Sequence, residues 1–327
     1  MRRVLSRAIA AVAAFGFAAG IAAPQTDYPR RPITLIVPFA AGGPTDAIAR
    51  VVSDHMTRTL GQPIIIENMV GAGGTSASTR AARANPDGYT IEMGHMGTHG
   101  ASVALYPNLV YKPDADFAPI GLSAGTAVVI LARKDFPPKD LKDFVTYVKA
   151  NVDKLNMGHA GVGSVSFTTC LLLNSILGVK PKSILFEGTE RALTALISGK
   201  VDYMCDQIVN VMQHVHAGHI KAYAVGTPER NPVLPNVPTS KEAGLPEFQA
   251  QAWNALFAPK ETPKPVLDIL TDALDKALDD EQTRKRLLAL GSVAPGKPER
   301  GQQALAVLVK REIERWTPII KAAGPTD

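Results

Sequence analysis

The chain has 327 residues, 46% of them hydrophobic and 20% charged, with a formal net charge of +5. About 300 residues of such composition exceed what one core usually spans, so two lobes are expected. Three of the 35 basic residues (Arg2, Arg3 and Arg7) lie in the first seven positions; the other 32 face 30 acidic ones without a Lys/Arg block, which excludes a nucleic-acid surface.

In chain order, MRRVLSRAIAAVAAFGFAAGIAAPQ reads as an export leader over residues 1–23. Its apolar run is too short and alanine-rich for a membrane span, Ala22 and Ala23 offer a peptidase site, and no cysteine follows to carry lipid. A cleaved, periplasmic protein is the expectation. Then ITLIVPF, PIIIENM and YTIEMG read as strands alternating with the helices TDAIARVVSDHMTRTLG and SASTRAARAN. Short apolar runs alternating with helices predict parallel strands with crossover helices. Gly61 is placed to close the first helix, and NPDGYT is a turn by composition.

A second series begins near Ala127: strand AVVILARKD, helix LKDFVTYVKANV, strand KLNMGHAG, helix SFTTCLLLNSILG, strand KSILFEG, helix ERALTALISGK, strands VDYMCDQ and IKAYAVGT. TPERNPVLPNVPT is a proline-rich excursion. Two long amphipathic helices close the chain, one capped by Thr262 with Pro263 at its first position, the other over about 302–321 with Trp316 as a packing anchor. Cys170 and Cys205 are expected as buried free thiols, although export makes a disulfide conceivable.

The chemistry concentrates at two glycine turns. In IVPFAAGGPTDAIAR, Gly42 and Gly43 allow a tight turn and Pro44 suits the first helical turn, so free amides point at whatever lies beyond the strand, and an anion belongs there. GHAGVGSVSFTT repeats the arrangement with Gly161, Gly163 and Ser164; Ser164 and Ser166 can cap the helix or offer hydroxyls to a ligand. Two such mouths in two lobes suggest one carboxylate ligand held between them. Gly71, Gly73 and Gly74 lack the third glycine of a dinucleotide fingerprint, Ser76 standing there, and no GxxxxGK with Ser or Thr occurs. No GxSxG surrounds any serine, but an exported serine hydrolase using Ser164 or Ser166 with His159 or His95 stays open as the alternative. His95 and His99 lack the glutamate of a zinc peptidase, and His214, His216 and His219 match no compact metal site, so neither metal nor cofactor is expected.

The segments YPRRPITLIVPFAAGGPTDAIAR, GQPIIIENMVGAGGTSAS, NPDGYT, ALYPNLVYKPDADFAPIGL, GVGS, ALTALISGKVDYMCD and EIERWTPIIKAAG, spread from Tyr28 to Gly324, resemble the periplasmic receptors of the tripartite tricarboxylate transporter family, the Bordetella uptake gene type. The resemblance implies a type 2 periplasmic binding protein: two α/β lobes joined by two chain crossings, with a ligand cleft between them. Lobe one would be residues 27–125 and 252–327, and lobe two 126–251. It implies a monomeric, non-enzymatic receptor that captures a di- or tricarboxylate or aromatic carboxylate and hands it to membrane transporter subunits. The implied ligand-binding positions are Phe39, Gly42, Gly43, Pro44, Thr45 and Asp46 in the first loop and Gly161, Gly163, Ser164, Val165 and Ser166 in the second, partly through ordered waters. Thr98, Thr189 and Asp206 complete the set, and Arg191 reads as a solvated helix residue that could reach a ligand's distal end.

The chain departs from the family's pattern at Phe167, at Phe186-Glu187-Gly188, at Met69-Val70 and in GHMGTHGAS. Added aromatic and methionine surface near the cleft would suit a longer aliphatic or aromatic diacid over citrate.

Overall fold

In the computed structural model residues 27–323 are described; the leader and the last four residues assigned to lobe one lie outside them. The first series forms β1 (Ile33–Val37), α1 (Pro44–Leu60), β2 (Ile64–Asn68), α2 (Thr75–Ala82) and β3 (Thr90–His95), followed by a wide π-type turn (Gly97–Ala101) and a short α3 (Ser102–Leu105). Next come β4 (Phe117–Arg133), α4 (Leu141–Asn151), β5 (Asn156–His159), α5 (Val165–Leu177), β6 (Lys182–Leu185), α6 (Thr189–Ile197), β7 (Tyr203–Gln207), α7 (Ile208–His216) and β8 (Ile220–Val225). The chain ends with β9 (Gln251–Pro259), α8 (Lys264–Asp279), α9 (Glu281–Ala289), β10 (Ser292–Val293) and α10 (Gly301–Ala323).

These elements make two sheets that share one strand. In the first, β2, β1 and β3 run parallel, β9 lies antiparallel beside β3, and the first half of β4 pairs with β9 on one side and β10 on the other. In the second, β6, β5 and β7 run parallel, and the second half of β4 lies antiparallel between β7 and β8. The chain therefore crosses between sheets inside β4, whose pairing with β9 ends at Ala127 and whose pairing with β7 begins at Val128. It returns where the Ala250 amide bonds the Gly226 carbonyl and β9 begins. The expectation of parallel strands holds within each βα series. It fails where the crossing strands pair: β9 lies antiparallel between β3 and β4, and the second half of β4 lies antiparallel between β7 and β8, while β10 is antiparallel to β4 at its edge.

Local signals explain several boundaries. Gly61 ends α1 at φ 68°, its amide on the Thr57 carbonyl. Asp140 and Asp280 cap α4 and α9 through their carboxylates. Thr262 is not the cap of α8: its hydroxyl donates to the Pro259 carbonyl, and Pro263 occupies the cap position.

Each lobe has its own core, one formed by β1, α1 and α8, the other by α6, α7 and β8. A third cluster runs behind both, from Leu305 and Trp316 on α10 through β4 to Phe144 and Cys170. Trp316 is fully buried, and its indole and that of Trp253 both donate to Oε2 of the buried Glu312, at 3.0 and 3.1 Å. That shared acceptor ties α10 to β9, and truncating such a tryptophan costs about 3–5 kcal/mol. Cys170 and Cys205 are buried and unbonded, with sulfurs 2.7 Å apart.

Candidate functional site

The loop after β1 is built around one buried carboxylate. Asp46, on the first turn of α1, accepts the Gly42 amide at 2.9 Å and the Asn68 side-chain amide at 3.0 Å, and it pairs with Arg50 at 2.8 Å. Burial pushes its acid up, but the bonds from Arg50, Gly42 and Asn68 outweigh that and hold it below the usual range. The brace fixes Gly42 at φ 81°, a conformation that favours glycine. No side chain caps α1, so the amides of Thr45 and Asp46 keep their positive end of the helix open.

His95 supplies the second feature of this wall. Its ring stacks on Phe39 with centroids 4.5 Å apart, and its Nδ1 accepts the Gly97 amide at 2.5 Å. The ring proton must then sit on Nε2. Burial pushes its pKa down to about 4, so the ring is a neutral donor at physiological pH.

The opposite wall carries three helix starts. Ser164 caps α5, accepting the Phe167 amide at 3.1 Å and donating to the Gly161 carbonyl at 2.6 Å, while Ser166 accepts the Ala160 amide at 2.9 Å. Gly188 at φ 95° begins α6 without a side-chain cap, and Gln207 does the same for α7. Asp206 sits at the end of β7 with one carboxylate oxygen held by the Gln207 amide and Asn210, at 2.6 and 2.9 Å.

The walls enclose a cleft of about 1040 Å³. Of the sequence-derived positions, Phe39, Gly42, Gly43, Pro44, Thr45, Gly161, Ser164, Val165, Ser166, Thr189 and Asp206 line it, and Asp46, Thr98 and Gly163 do not. Asp46 is turned inward as the loop's brace. Thr98 is fully buried because the π-type turn folds it under the strand end, where its hydroxyl lies 3.1 Å from the His95 amide and 3.0 Å from His99 Nδ1. Gly163 faces Gly73 across the lobes.

The lining also contains residues that sequence reasoning did not assign to ligand binding: His95, the loop Val70 to Gly74, Glu187, Glu190, Gln207, Asn210 and His214. Neither Lys nor Arg is among them. Arg191 is exposed and outside the lining, but it pairs with Glu187, which is part of it. The expected apolar surface is mostly elsewhere: Met69 packs on the core, Phe167 is buried with its ring 4.9 Å from His159, and Phe186 packs against the second lobe's core. Among the described residues Phe39 is the one Phe, Tyr or Trp in the lining, with the His95 ring stacked on it.

At one end the lobes meet backbone to backbone. The Tyr106 hydroxyl donates to the Val162 carbonyl at 3.0 Å, and a Cβ on Gly73 would stand 2.6 Å from that oxygen and 3.3 Å from the Gly163 Cα. A Cβ on Gly97 would collide with both the His95 ring and the Gly163 carbonyl.

The hydrolase arrangement finds no support here. Nδ1 of His159 takes the Gly161 amide, Nδ1 of His95 takes Gly97, and the two serines bond the backbone and each other. Among the described residues no three His, Cys, Asp or Glu side chains converge on a metal position.

Two lobes, two crossings and a cleft ringed by helix starts, with no Lys or Arg in its lining among the described residues, define a solute-binding protein of the periplasmic type. The profile described as "Tripartite tricarboxylate transporter family receptor" matches residues 48–324, and the chain belongs to that family. An Agrobacterium vitis protein named "UPF0065 protein in the TAR-I ttuE-ttuC' intergenic region" is 42% identical, the match covering 93% of this chain and 88% of that one. MatC from Rhodopseudomonas palustris, solved with bound malate, is 53% identical with a TM-score of 0.83, covering 90% of this chain and all of MatC. The periplasmic binding protein BugD is 41% identical with a TM-score of 0.82, covering 91% and 99%.

Proposed function

We propose that this chain is an exported, non-enzymatic receptor that binds a small di- or tricarboxylate in the cleft and delivers it to the membrane subunits of a tripartite tricarboxylate-type transporter. The observation that carries the reading is the uncapped first turn of α1, braced by Asp46 and facing the Gly161–Ser166 loop across a cleft without Lys or Arg. In such a place an anion is held by amide dipoles and hydroxyls, each charge-assisted bond contributing about 1.5–3 kcal/mol. His95 Nε2 adds a neutral donor. The malate in MatC makes a four-carbon diacid the first ligand to try.

In this reading residues 27–125 and 252–323 move as one body and 126–251 as the other, and the monomer closes on its ligand. Closure needs tighter binding to the closed state than to the open one. The mature chain would begin after the leader is removed in the periplasm.

The test is a thermal-shift screen of C4 to C9 dicarboxylates, citrate and aromatic acids, since stabilisation grows with ligand concentration over affinity. Malate is expected to raise the melting temperature by an amount that grows with the logarithm of its concentration above Kd, without being consumed. Absence of a shift with every carboxylate, or turnover of an ester by the same preparation, would reject the reading.

A further inference from the structure

Asp206 is the acid of the cleft that the anion-binding account leaves unexplained. Its residue is 1% exposed, it lines the cleft, and only one of its carboxylate oxygens is used. The other, Oδ2, is buried and has no hydrogen-bond partner among the described residues. A buried oxygen of this kind costs about 1–3 kcal/mol if it stays unpaired. It also stands in a wall that carries the carboxylates of Glu190 and of Glu187, the latter paired with Arg191, and among the described residues no Lys or Arg in the lining faces Asp206 or Glu190. An unsubstituted dicarboxylate would bring more negative charge to this oxygen and nothing to satisfy it.

We propose that Asp206 is a specificity residue whose Oδ2 accepts a hydrogen bond from a donor on the ligand's carbon chain, so that the receptor selects hydroxy- or amino-substituted carboxylates over plain ones. This rests on the carboxylate-receptor reading and narrows its ligand class. The division of labour follows from the geometry. Amides and His95 take the ligand's carboxylate, whereas Asp206 rewards the one group a plain diacid lacks. Selection by an unpaired buried polar atom is strong, because the analogue without the donor leaves that atom without water or partner.

The test compares matched ligands by calorimetry on the mature protein: malate with succinate, citrate with tricarballylate, and aspartate as the ammonium-bearing arm. The wild type is expected to bind at least one donor-bearing acid about tenfold or more tightly than its plain counterpart. Aspartate favoured over malate assigns an ammonium, and the reverse a hydroxyl. In Asp206→Ala that ratio should fall below about threefold, with the plain acid binding as well as or better than it does to the wild type. Asp206→Asn keeps acceptors for Gln207 and Asn210 but turns an NH₂ toward the Oδ2 position, so it guards against misfolding, and the ratio should narrow there too. A plain acid that binds the wild type as tightly as its substituted partner overturns the inference while leaving the receptor reading intact. So does a tenfold ratio that survives in Asp206→Ala. Failure of all five acids to bind overturns the inference, and the receptor reading falls with it only when the wider screen of dicarboxylates and aromatic acids also shows no shift.

Discussion

The two walls of the cleft use the same parts, a glycine loop feeding a helix start, yet they handle charge in opposite ways. The first-lobe wall has no carboxylate in the lining: its acid, Asp46, is turned behind the loop and neutralised by Arg50 and two amides, and its helix start is uncapped. The second-lobe wall caps α5 with Ser164, leaves α6 and α7 without side-chain caps, and lines the cleft with Glu187, Glu190 and the buried Asp206. A wall that is preorganised and open at its positive end supplies affinity. A wall whose serine loop is satisfied by itself, but which presents acids and an unpaired Asp206 oxygen, supplies discrimination, because it penalises any anion that brings no donor.

The comparison needs the walls to meet, and the largest expected effect comes from preventing that. Gly73→Val places a branched side chain against Tyr106, the Val162 carbonyl and Gly163, at a φ of 62°. Calorimetry should show malate binding weakened about 100-fold or more. Retained affinity would mean that the glycine contact is not part of the ligand-bound form. Next is Asp46→Ala. Asn68 keeps the Phe39 carbonyl as an acceptor, but the Gly42 amide and Arg50 lose theirs, so the change should cost about 2 kcal/mol in denaturant unfolding and weaken binding at the same time.

Much of this was legible in the sequence. Strand-helix alternation, Gly61, the two glycine loops and the resemblance gave the lobes, the periplasmic-binding fold and eleven cleft-lining positions. What was hidden has physical causes. β4 runs 17 residues through both sheets, and only its all-apolar second half stands out as a strand; the first half carries Pro119, Gly121 and bulges in its pairing with β9. Thr98 and His95 lie three residues apart at a turn whose π geometry swaps which of them faces the cleft. A signal existed in Gly94, Gly97 and Gly100: each is backed by a close neighbour, His99, His95 and Glu312 respectively, so the segment is a packed turn and not an open loop.

Each lobe also buries an acid whose carboxyl is pushed up by burial, Asp206 to about 6 and Glu92 to about 8. Glu92 lies behind the first wall with the Ser78 hydroxyl 2.6 Å away, Tyr111 nearby and the His99 ring at 3.9 Å; burial pushes its carboxyl up to about 8 and His99 well down, so the pair is uncharged. The native state therefore holds a proton that the unfolded chain releases above 4.5, and stability falls as pH rises from about 4.5 to about 8. His95 and His99 work the other way, costing stability as pH drops below 6.5. Glu92→Gln should remove a slope of about 1.4 kcal/mol per pH unit between pH 6.5 and 8 without changing ligand selectivity. If selectivity changes, the first wall is not the indifferent one. His95→Phe, which keeps the stack on Phe39 but deletes both the Nε2 donor and the Nδ1 acceptor of the Gly97 amide, should lower stability and weaken every carboxylate about tenfold, plain and substituted alike.

The smallest effect tests the claim that the second wall's serine loop is satisfied on its own. Ser164→Ala removes the α5 cap and should lower stability by about 1 kcal/mol, the usual cost of losing such a cap. Its hydroxyl hydrogen is already committed to the Gly161 carbonyl and its lone pairs to Phe167 and Ser166, so it has little left to give a ligand. The Phe167 amide freed by the substitution lies in the first turn of α5 and can partly replace what is lost by facing an anion itself. Affinity measured by calorimetry should therefore change less than about threefold while the melting temperature drops. A tenfold loss of affinity at unchanged stability would reverse the assignment, making Ser164 a ligand donor and the second wall as much an anion cradle as the first.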